Sequence, residues 1–195
     1  VLVTALSCWP VMWAGRRLSG LWIVGFIVFY VLMRGGVLGL SDVTPDRWGG
    51  LALTLFIFAA VVLLGFPTAI VLALARQSKL PVISRMAAFA IDLTRSFPLL
   101  AILFAAAVIL PFALPNWLQG DKLYRVIYAF AFFFACYQAE IVRGGLQSIP
   151  PGQDEAAKAL GLTYVKRVTL ILLPQAFRNA LPATINQIVI TFKET

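Results

Sequence analysis

Gln153-Asp154-Glu155-Ala156-Ala157-Lys158-Ala159-Leu160-Gly161 opens a polar stretch that runs on through Leu162–Leu172 to Leu173-Pro174. It stands between two apolar runs, Leu123–Val142 and Gln175–Phe192, each about as long as a bilayer span requires. Ile149-Pro150-Pro151-Gly152 cannot continue a helix, so the preceding span ends there. Gln153–Leu160 is rich in helix formers, and Asp154 and Glu155 sit in the first turn, where carboxylates complement the helix dipole. Gly161 falls just past the helix end, where a left-handed conformation costs glycine nothing. A second helix is predicted over Thr163–Leu172, carrying Lys166 and Arg167. The pattern predicts helix, sharp turn and helix lying at a membrane surface. Ala156, Ala157 and Ala159 predict one flat side, Leu160 and Leu162 an apolar knob, and Glu155 and Lys158 a charged rim. A helix seated in a partner's groove would have these features. An amphipathic interfacial linker would have them too.

Composition sets the class. Of 195 residues, 61% are hydrophobic and only 12% charged, with a mean hydropathy of +0.91. Soluble domains carry about 25% charged residues. A chain this apolar is predicted to be an all-α membrane protein, a polytopic transmembrane helical bundle. The predicted spans are Leu18–Met33, Trp48–Ala75, Met86–Leu114, Leu123–Val142 and Gln175–Phe192, with a stub at Val1–Ala14. Pro67 lies inside the second span, and Pro98 and Pro111 inside the third, where each removes a backbone donor and favours a bend. The chain begins on Val1 and stops at Thr195 beside an apolar run, so the expectation is a fragment cut at both ends.

The net charge of +8 could suggest nucleic acid, but the basic residues fall in the gaps between apolar runs. One set of alternate gaps holds nine: Arg16, Arg17, Arg76, Lys79, Arg85, Arg143, Lys158, Lys166 and Arg167. The opposite set holds four: Arg34, Arg47, Lys122 and Arg125. Lysine and arginine bias loops toward the cytoplasm, so the 143–174 loop is predicted to be cytoplasmic.

The absence of histidine excludes a histidine metal site or proton relay. Cys8 and Cys136 both lie in apolar stretches and read as buried small hydrophobes. No G-x-x-x-x-G-K-[ST] loop is present, so nothing in the chain would bind ATP. Ionisable residues inside spans are costly and mark function or pairing. Asp92 and Arg95 are three apart and can pair on one helix face, as can Glu140 and Arg143. Thr184, Asn186, Gln187 and Thr191 place polar groups in the last span, as helix glue or as a solute path. An ion-coupled secondary carrier would instead need carboxylates at mid-membrane depth or broken half-helices. A membrane-embedded enzyme would need a catalytic constellation, and Asp92 and Glu140 each have an arginine nearby.

The letters Glu155, Ala156, Ala157, Gly161, Ile171, Leu173 and Pro174 form E-A-A-x3-G-x9-I-x-L-P. Such a pattern recurs by chance at roughly 10⁻⁸ per window, which makes coincidence a poor explanation. It resembles the EAA loop of permease subunits of type I ABC importers. The resemblance extends over Trp48–Thr195. Trp48–Leu55 and Leu72–Ser78 are similar to the two ends of the first core helix in the polar and general L-amino-acid branch. Asp92, Arg95, Pro98, Leu99 and Leu100 are similar to its acidic-x-x-R-G-x-P-L-L stretch. Tyr137, Ala139-Glu140-Ile141, Arg143-Gly144-Gly145-Leu146 and Gly152-Gln153 are similar to the segment entering the loop. Pro174-Gln175-Ala176, Pro182, Asn186, Lys193 and Thr195 are similar to the run after it. Ser96 and Phe97 depart from the family, which has Gly and a small or β-branched residue there.

The resemblance implies the type I ABC importer permease fold, truncated at both ends. Residues 1–47 would be extra N-terminal segments. Residues 48–195 would be the permease core, with its last helix missing beyond Lys193-Glu194-Thr195. It implies translocation of polar or broad-range L-amino acids across a bacterial inner membrane, with a permease for a different small solute as the alternative. The implied partners are a separate ATPase that binds the ATP, a second permease chain, and a periplasmic or extracellular solute-binding protein. The ATPase-coupling residues would be Gly152, Gln153, Asp154, Glu155, Ala156, Ala157, Lys158, Leu160, Gly161, Ile171, Leu173 and Pro174. The solute pathway or gate would draw on Asp92, Arg95, Glu140, Arg143, Asn186 and Gln187.

Overall fold

The computed structural model describes residues 15–37, 39–44 and 47–195. The expected stub Val1–Ala14 lies outside them. Every regular element among the described residues is helical. The helices are α1 (Gly15–Arg34), α2 (Gly50–Arg76), α3 (Pro81–Ser96), α4 (Leu99–Ala113), α5 (Asn116–Gln119), α6 (Lys122–Gln147), α7 (Pro151–Ala159), α8 (Tyr164–Arg167) and α9 (Leu173–Glu194). Two compact units divide the chain at Ala59/Ala60.

In the first unit an aromatic cluster holds α1 to the start of α2. Trp48 and Phe56 are buried, with ring centroids 5.3 Å apart, and Tyr30 lies 6.0 Å from Trp48 and 5.6 Å from Phe56. The Trp48 indole N–H donates to the Val43 carbonyl at 3.2 Å, so the buried ring is satisfied at its polar edge.

In the second unit α6 is the central helix. Phe130, Phe134, Ala135, Cys136, Gln138, Ala139 and Val142 are all buried along it. Lipid gives helices no hydrophobic drive to associate, so close backbone approach between small residues must do that work. Gly65, Ala69 and Ala73 form a four-residue repeat on α2; Ala69 and Ala73 belong to one core cluster with Ala135, Cys136, Ala139 and Val142 of α6. A Cβ at Gly65 would sit 2.5 Å from the Phe134 ring and 2.8 Å from the Ala131 carbonyl oxygen. On the other flank Ala176, Ala180 and Thr184 repeat at four residues along α9, and all three are buried. There a Cβ at Gly145 would meet the Ala176 carbonyl oxygen at 2.4 Å.

The structure replaces the single third span, Met86–Leu114, with two helices, α3 and α4, that meet at 101°. The cause is Pro98, which drives the preceding residue out of the helical region. Phe97 is extended (φ −99, ψ 145), and its N–H closes α3 on the Thr94 carbonyl. Neither Ser96 nor Phe97 is left-handed there, so the turn does not require glycine.

α4 and the run entering α9 share one device. Each contains a π-helical turn, Ala105–Ile109 and Val168–Leu172, ending two residues before a proline, Pro111 and Pro174. A proline cannot donate to the carbonyl four residues back, and its ring crowds that carbonyl. The wider turn relieves the clash. For Pro111 the freed carbonyl is that of Ala107, which accepts from Arg125 Nη2 at 3.4 Å. The same guanidinium donates to the carbonyls of Ala106 (3.2 Å), Gln119 (2.6 Å) and Gly120 (2.8 Å).

Two helices, α2 and α6, are long and apolar enough to cross a membrane, or three if the α3–α4 pair counts as one span. That measure is taken on the described residues, where α1 contributes the shorter apolar stretch Gly20–Arg34, and α9 falls below it. Arg178, Asn179, Asn186, Gln187 and Lys193 lower the hydropathy of α9.

Candidate functional site

The 147–174 segment folds as a short exposed helix with a fixed turn behind it. α6 runs past the apolar stretch to Gln147, stopping just before the Ile149–Gly152 break, and Pro150-Pro151 then starts α7, with proline at its first turn. Gly161 is left-handed (φ 71). Its N–H donates to the Lys158 carbonyl at 2.9 Å, and the Leu162 N–H donates to the Ala157 carbonyl at 3.1 Å. This pair of bonds is a Schellman motif, which ends the helix and sets the exit direction. A Cβ at Gly161 would touch nothing within 4 Å, so backbone conformation alone selects glycine.

Asp154 anchors α7 from behind. It pairs with Lys158 one turn along, and with Arg167 of α8 at 3.2 Å, a contact without hydrogen-bond alignment on Nε. The hydrogen bond from Lys158, with Arg167 and Lys79 nearby, holds its carboxyl below the usual carboxylate range. Gln175 of α9 donates to Gln153 at 3.5 Å, and Asn179 of α9 donates to Ser148 at 2.9 Å, so the end of α6 and the start of α7 are both tied to α9.

The flat alanine side needs correction. Ala157 is only 2% exposed and faces inward, because it lies on the face that packs against the α8 side. The exposed stripe is Gly152, Glu155, Ala156 and Ala159, at helical spacing, followed by Leu160 at 79% exposure. Tyr164 and Val165 extend this exposed surface past the turn. The second helix is also not a separate element. α8, the π turn and α9 form one continuous helical run from Tyr164 to Glu194. Ile171 and Leu173 are half-buried on it, and Leu173 packs on the core cluster. Pro174 is exposed.

The charged residues assemble differently from their spacing. Glu140 and Arg143 pair as expected, with hydrogen bonds of 2.7 and 3.0 Å to Glu140 Oε2. Asp92 does not pair with Arg95. It takes two hydrogen bonds from Arg76, at 2.9 and 3.1 Å. Arg95 instead lies 5.1 Å over the Tyr137 ring. Arg76 also stands 3.0 Å from Glu140 Oε1. The sequence places Arg76 among the gap charges and in the Leu72–Ser78 helix end, and gives it no ion-pair partner. Its place as the last residue of α2, beside the Gln77–Leu80 turn, was the available signal.

Asn186 is exposed and Gln187 half-buried on α9; among the described residues neither bonds to this charge group. The buried polar contact of α9 is Thr184, whose hydroxyl accepts from Gln138 Nε2 at 2.9 Å.

The family described as "Binding-protein-dependent transport system inner membrane component" matches residues 65–195. The inner membrane amino-acid ABC transporter permease protein YhdY of Escherichia coli K12 is 36% identical over the whole chain, which spans 54% of that protein. The glutamate/glutamine/aspartate/asparagine transport system permease protein BztC of Rhodobacter capsulatus is 37% identical over 81% of the chain and 36% of its own length. The chain thus spans about half or less of these two relatives. The crystal structure of an amino acid ABC transporter with histidines superposes at a TM-score of 0.62 and 32% identity, covering 74% of this chain and 66% of that one. A helical bundle of this topology, with its proline-framed loop and small-residue packing, belongs to the family of binding-protein-dependent transport system inner membrane components, multi-pass proteins of the inner membrane.

Proposed function

We propose that this chain is the permease component of an ATP-driven amino-acid importer, and that α7 is the element on which a separate ATPase acts. The observation that carries the proposal is the exposed stripe Gly152–Glu155–Ala156–Ala159 with the Leu160 knob, on a helix locked by the Gly161 turn and the Asp154 ion pairs. Small side chains let a partner's walls come close, and Leu160 supplies an apolar anchor. A short helix held at both ends moves as a rigid body, so force applied to it reaches α6 and α9 without being lost in bending. The names of the relatives support amino acids as the solute class, with polar or broad-range L-amino acids the proposed substrates. Charge placement supports a cytoplasmic α7.

A solute-binding protein delivers the amino acid from the other side, and a second permease chain completes the pathway. Asp92, Arg95, Glu140, Arg143, Asn186 and Gln187 remain the proposed pathway or gate residues. Asp92, at 56% side-chain exposure on α3, supports this, since a carboxylate facing lipid would be costly. ATP is bound and hydrolysed by the partner.

The test is a cross-link from Ala156→Cys, on the exposed stripe, to the ATPase in membranes, together with uptake by Glu155→Lys. The expected results are a cross-link whose yield changes with ATP, and an inserted Glu155→Lys variant without uptake. An inserted protein that never cross-links, or a Glu155→Lys variant with full uptake, refutes the role of α7.

A further inference from the structure

Arg143, Glu140, Arg76 and Asp92 form one line of alternating charge across α6, α2 and α3. The line has two strong halves and one weak join. On α6, Arg143 holds Glu140 Oε2 through two hydrogen bonds. On the other side Arg76 holds both oxygens of Asp92. Each half is electrically neutral. Between them stand the approach of Arg76 Nη1 to Glu140 Oε1 at 3.0 Å, which lacks hydrogen-bond alignment, and a long hydrogen bond from Gln77 Nε2 to the Arg143 carbonyl at 3.5 Å. Among the described residues the Arg76–Glu140 approach is the one charge–charge contact from α6 to α2 or α3.

Two physical features suit this join to opening and closing. First, parting the halves leaves no uncompensated charge, which is the event that makes breaking a buried ion pair severe. Second, water can replace the lost contact. A recess of about 520 Å³ opens beside it, lined by Arg76, Gln77, Ser84, Ala88, Arg143 and Gln147 among others. The apolar part of the same interface is the opposite, since Ala73, Ala139 and Val142 are fully buried and packed together. That packing admits no water, and the charged seam borders the recess beside it.

We propose that the Arg76–Glu140 contact is a reversible latch, and that α6 parts from α2 and α3 at this seam when α7 is moved, leaving two neutral ion pairs. The inference rests on the reading of α7 as the ATPase-coupling helix. Arg76 is then a positioning residue that gates the motion without touching solute. Substituting Arg76 by Gln removes the latch. Substituting Asp92 by Asn strips Arg76 of its own carboxylate and leaves it to Glu140 alone, so the latch tightens. The two variants therefore act in opposite directions, which a merely structural role would not produce.

The experiment uses the assembled transporter in nanodiscs. Spin labels go on Ala88→Cys and Gln147→Cys, in the lining of the recess on α3 and α6, with Cys8 and Cys136 replaced by Ala. Pulsed electron resonance then reads the Ala88–Gln147 separation with and without ATP. The expected result is two separations whose ratio shifts with ATP. Asp92→Asn moves the population to the shorter, and Arg76→Gln to the longer. The Ala156→Cys cross-link to the ATPase is followed in parallel preparations that carry the same Asp92 or Arg76 substitution but no spin-label cysteines. One unchanging separation, or a shift of both variants in the same direction, overturns the latch if that cross-link still responds to ATP. Loss of the cross-link response overturns both the latch and the reading of α7.

Discussion

Gly144 and Gly145 are adjacent in α6, and the structure assigns opposite signs to the same substitution at each. A Cβ on Gly144 would meet nothing within 4 Å. Gly144→Ala then only removes glycine's conformational freedom in a helix, which stabilises by up to about 1 kcal/mol. A Cβ on Gly145 would lie 2.4 Å from the Ala176 carbonyl oxygen, 3.0 Å from the Ala180 Cβ and 3.1 Å from the Ala176 carbonyl carbon. Two of these atoms are backbone and the third is a Cβ, so no rotamer change relieves the contact. α9 must retreat by about 1 Å to reach ordinary contact at 3.4 Å. Overpacking of this kind costs about 1–3 kcal/mol. The propensity gain is common to both variants and cancels in their difference, so Gly145→Ala should be less stable than Gly144→Ala by about 1–3 kcal/mol. The assay is reversible unfolding of the purified protein in mixed micelles, followed by helix content. Because α6 and α9 flank α7, the retreat also displaces the loop, and Gly145→Ala should weaken the Ala156→Cys cross-link to the ATPase. Equal stability of the two alanine variants would refute the claim that α6 and α9 touch backbone to backbone at this point.

Arg125→Leu should be the more damaging change at the other end of α6. It strips donors from the carbonyls of Ala106, Ala107, Gln119 and Gly120. The carbonyls of Ala106 and Ala107 are part-buried, and losing a donor there costs up to about 1–3 kcal/mol each, so hydrogen exchange should show α4 opening before α6. Asp154 makes a pH-dependent contribution. Its folded pKa is lowered, so its ion pairs contribute fully above the ordinary carboxylate value of about 4 and are lost as pH falls through the lower folded value. Amide protection of α7 should therefore be flat from neutral pH down to about 5 and fall only under stronger acid. Asp154→Asn should lower it by the small amount of a surface pair, about 0–1 kcal/mol, at about pH 5 and above, and the difference from the parent protein should vanish in stronger acid.

What the sequence made legible was local. Gly161 past a run of helix formers demanded a left-handed turn, and Pro150-Pro151 demanded a break; both are properties of the backbone within a few residues. Tertiary choices were not legible. The three-residue spacing of Asp92 and Arg95 allowed a pair but did not compel one. Arg76, sixteen residues away, offers Asp92 a two-pronged partner, while the Tyr137 ring gives Arg95 a competing site. Ala157 is chemically the same as Ala156 and Ala159, so only the packing of α7 tells which of them faces inward. Pro98 predicted a bend, yet its size of 101° depends on what α3 and α4 pack against.

The division between packed and polar contacts explains how such a molecule can be both firm and mobile. α6 meets α2 and α9 through residues whose Cβ positions leave no slack, at Gly65, Ala69 and Ala73 on one flank and Gly145 with Ala176 and Ala180 on the other. Contacts of that kind have steep repulsive walls, so they resist sliding and act as pivots. The seam beside them is built from charge. Charge attraction falls off gradually with distance, and water can take over a parted contact. A helix pinned by small residues along its length and joined by ion pairs at its end can therefore swing at that end without losing its packing. The end in question is where α6 leads through Ser148–Pro150 into α7. With the proposed latch, the apolar small residues lie where relative motion would be prevented, and Arg76, Asp92, Glu140 and Arg143 where it would be permitted.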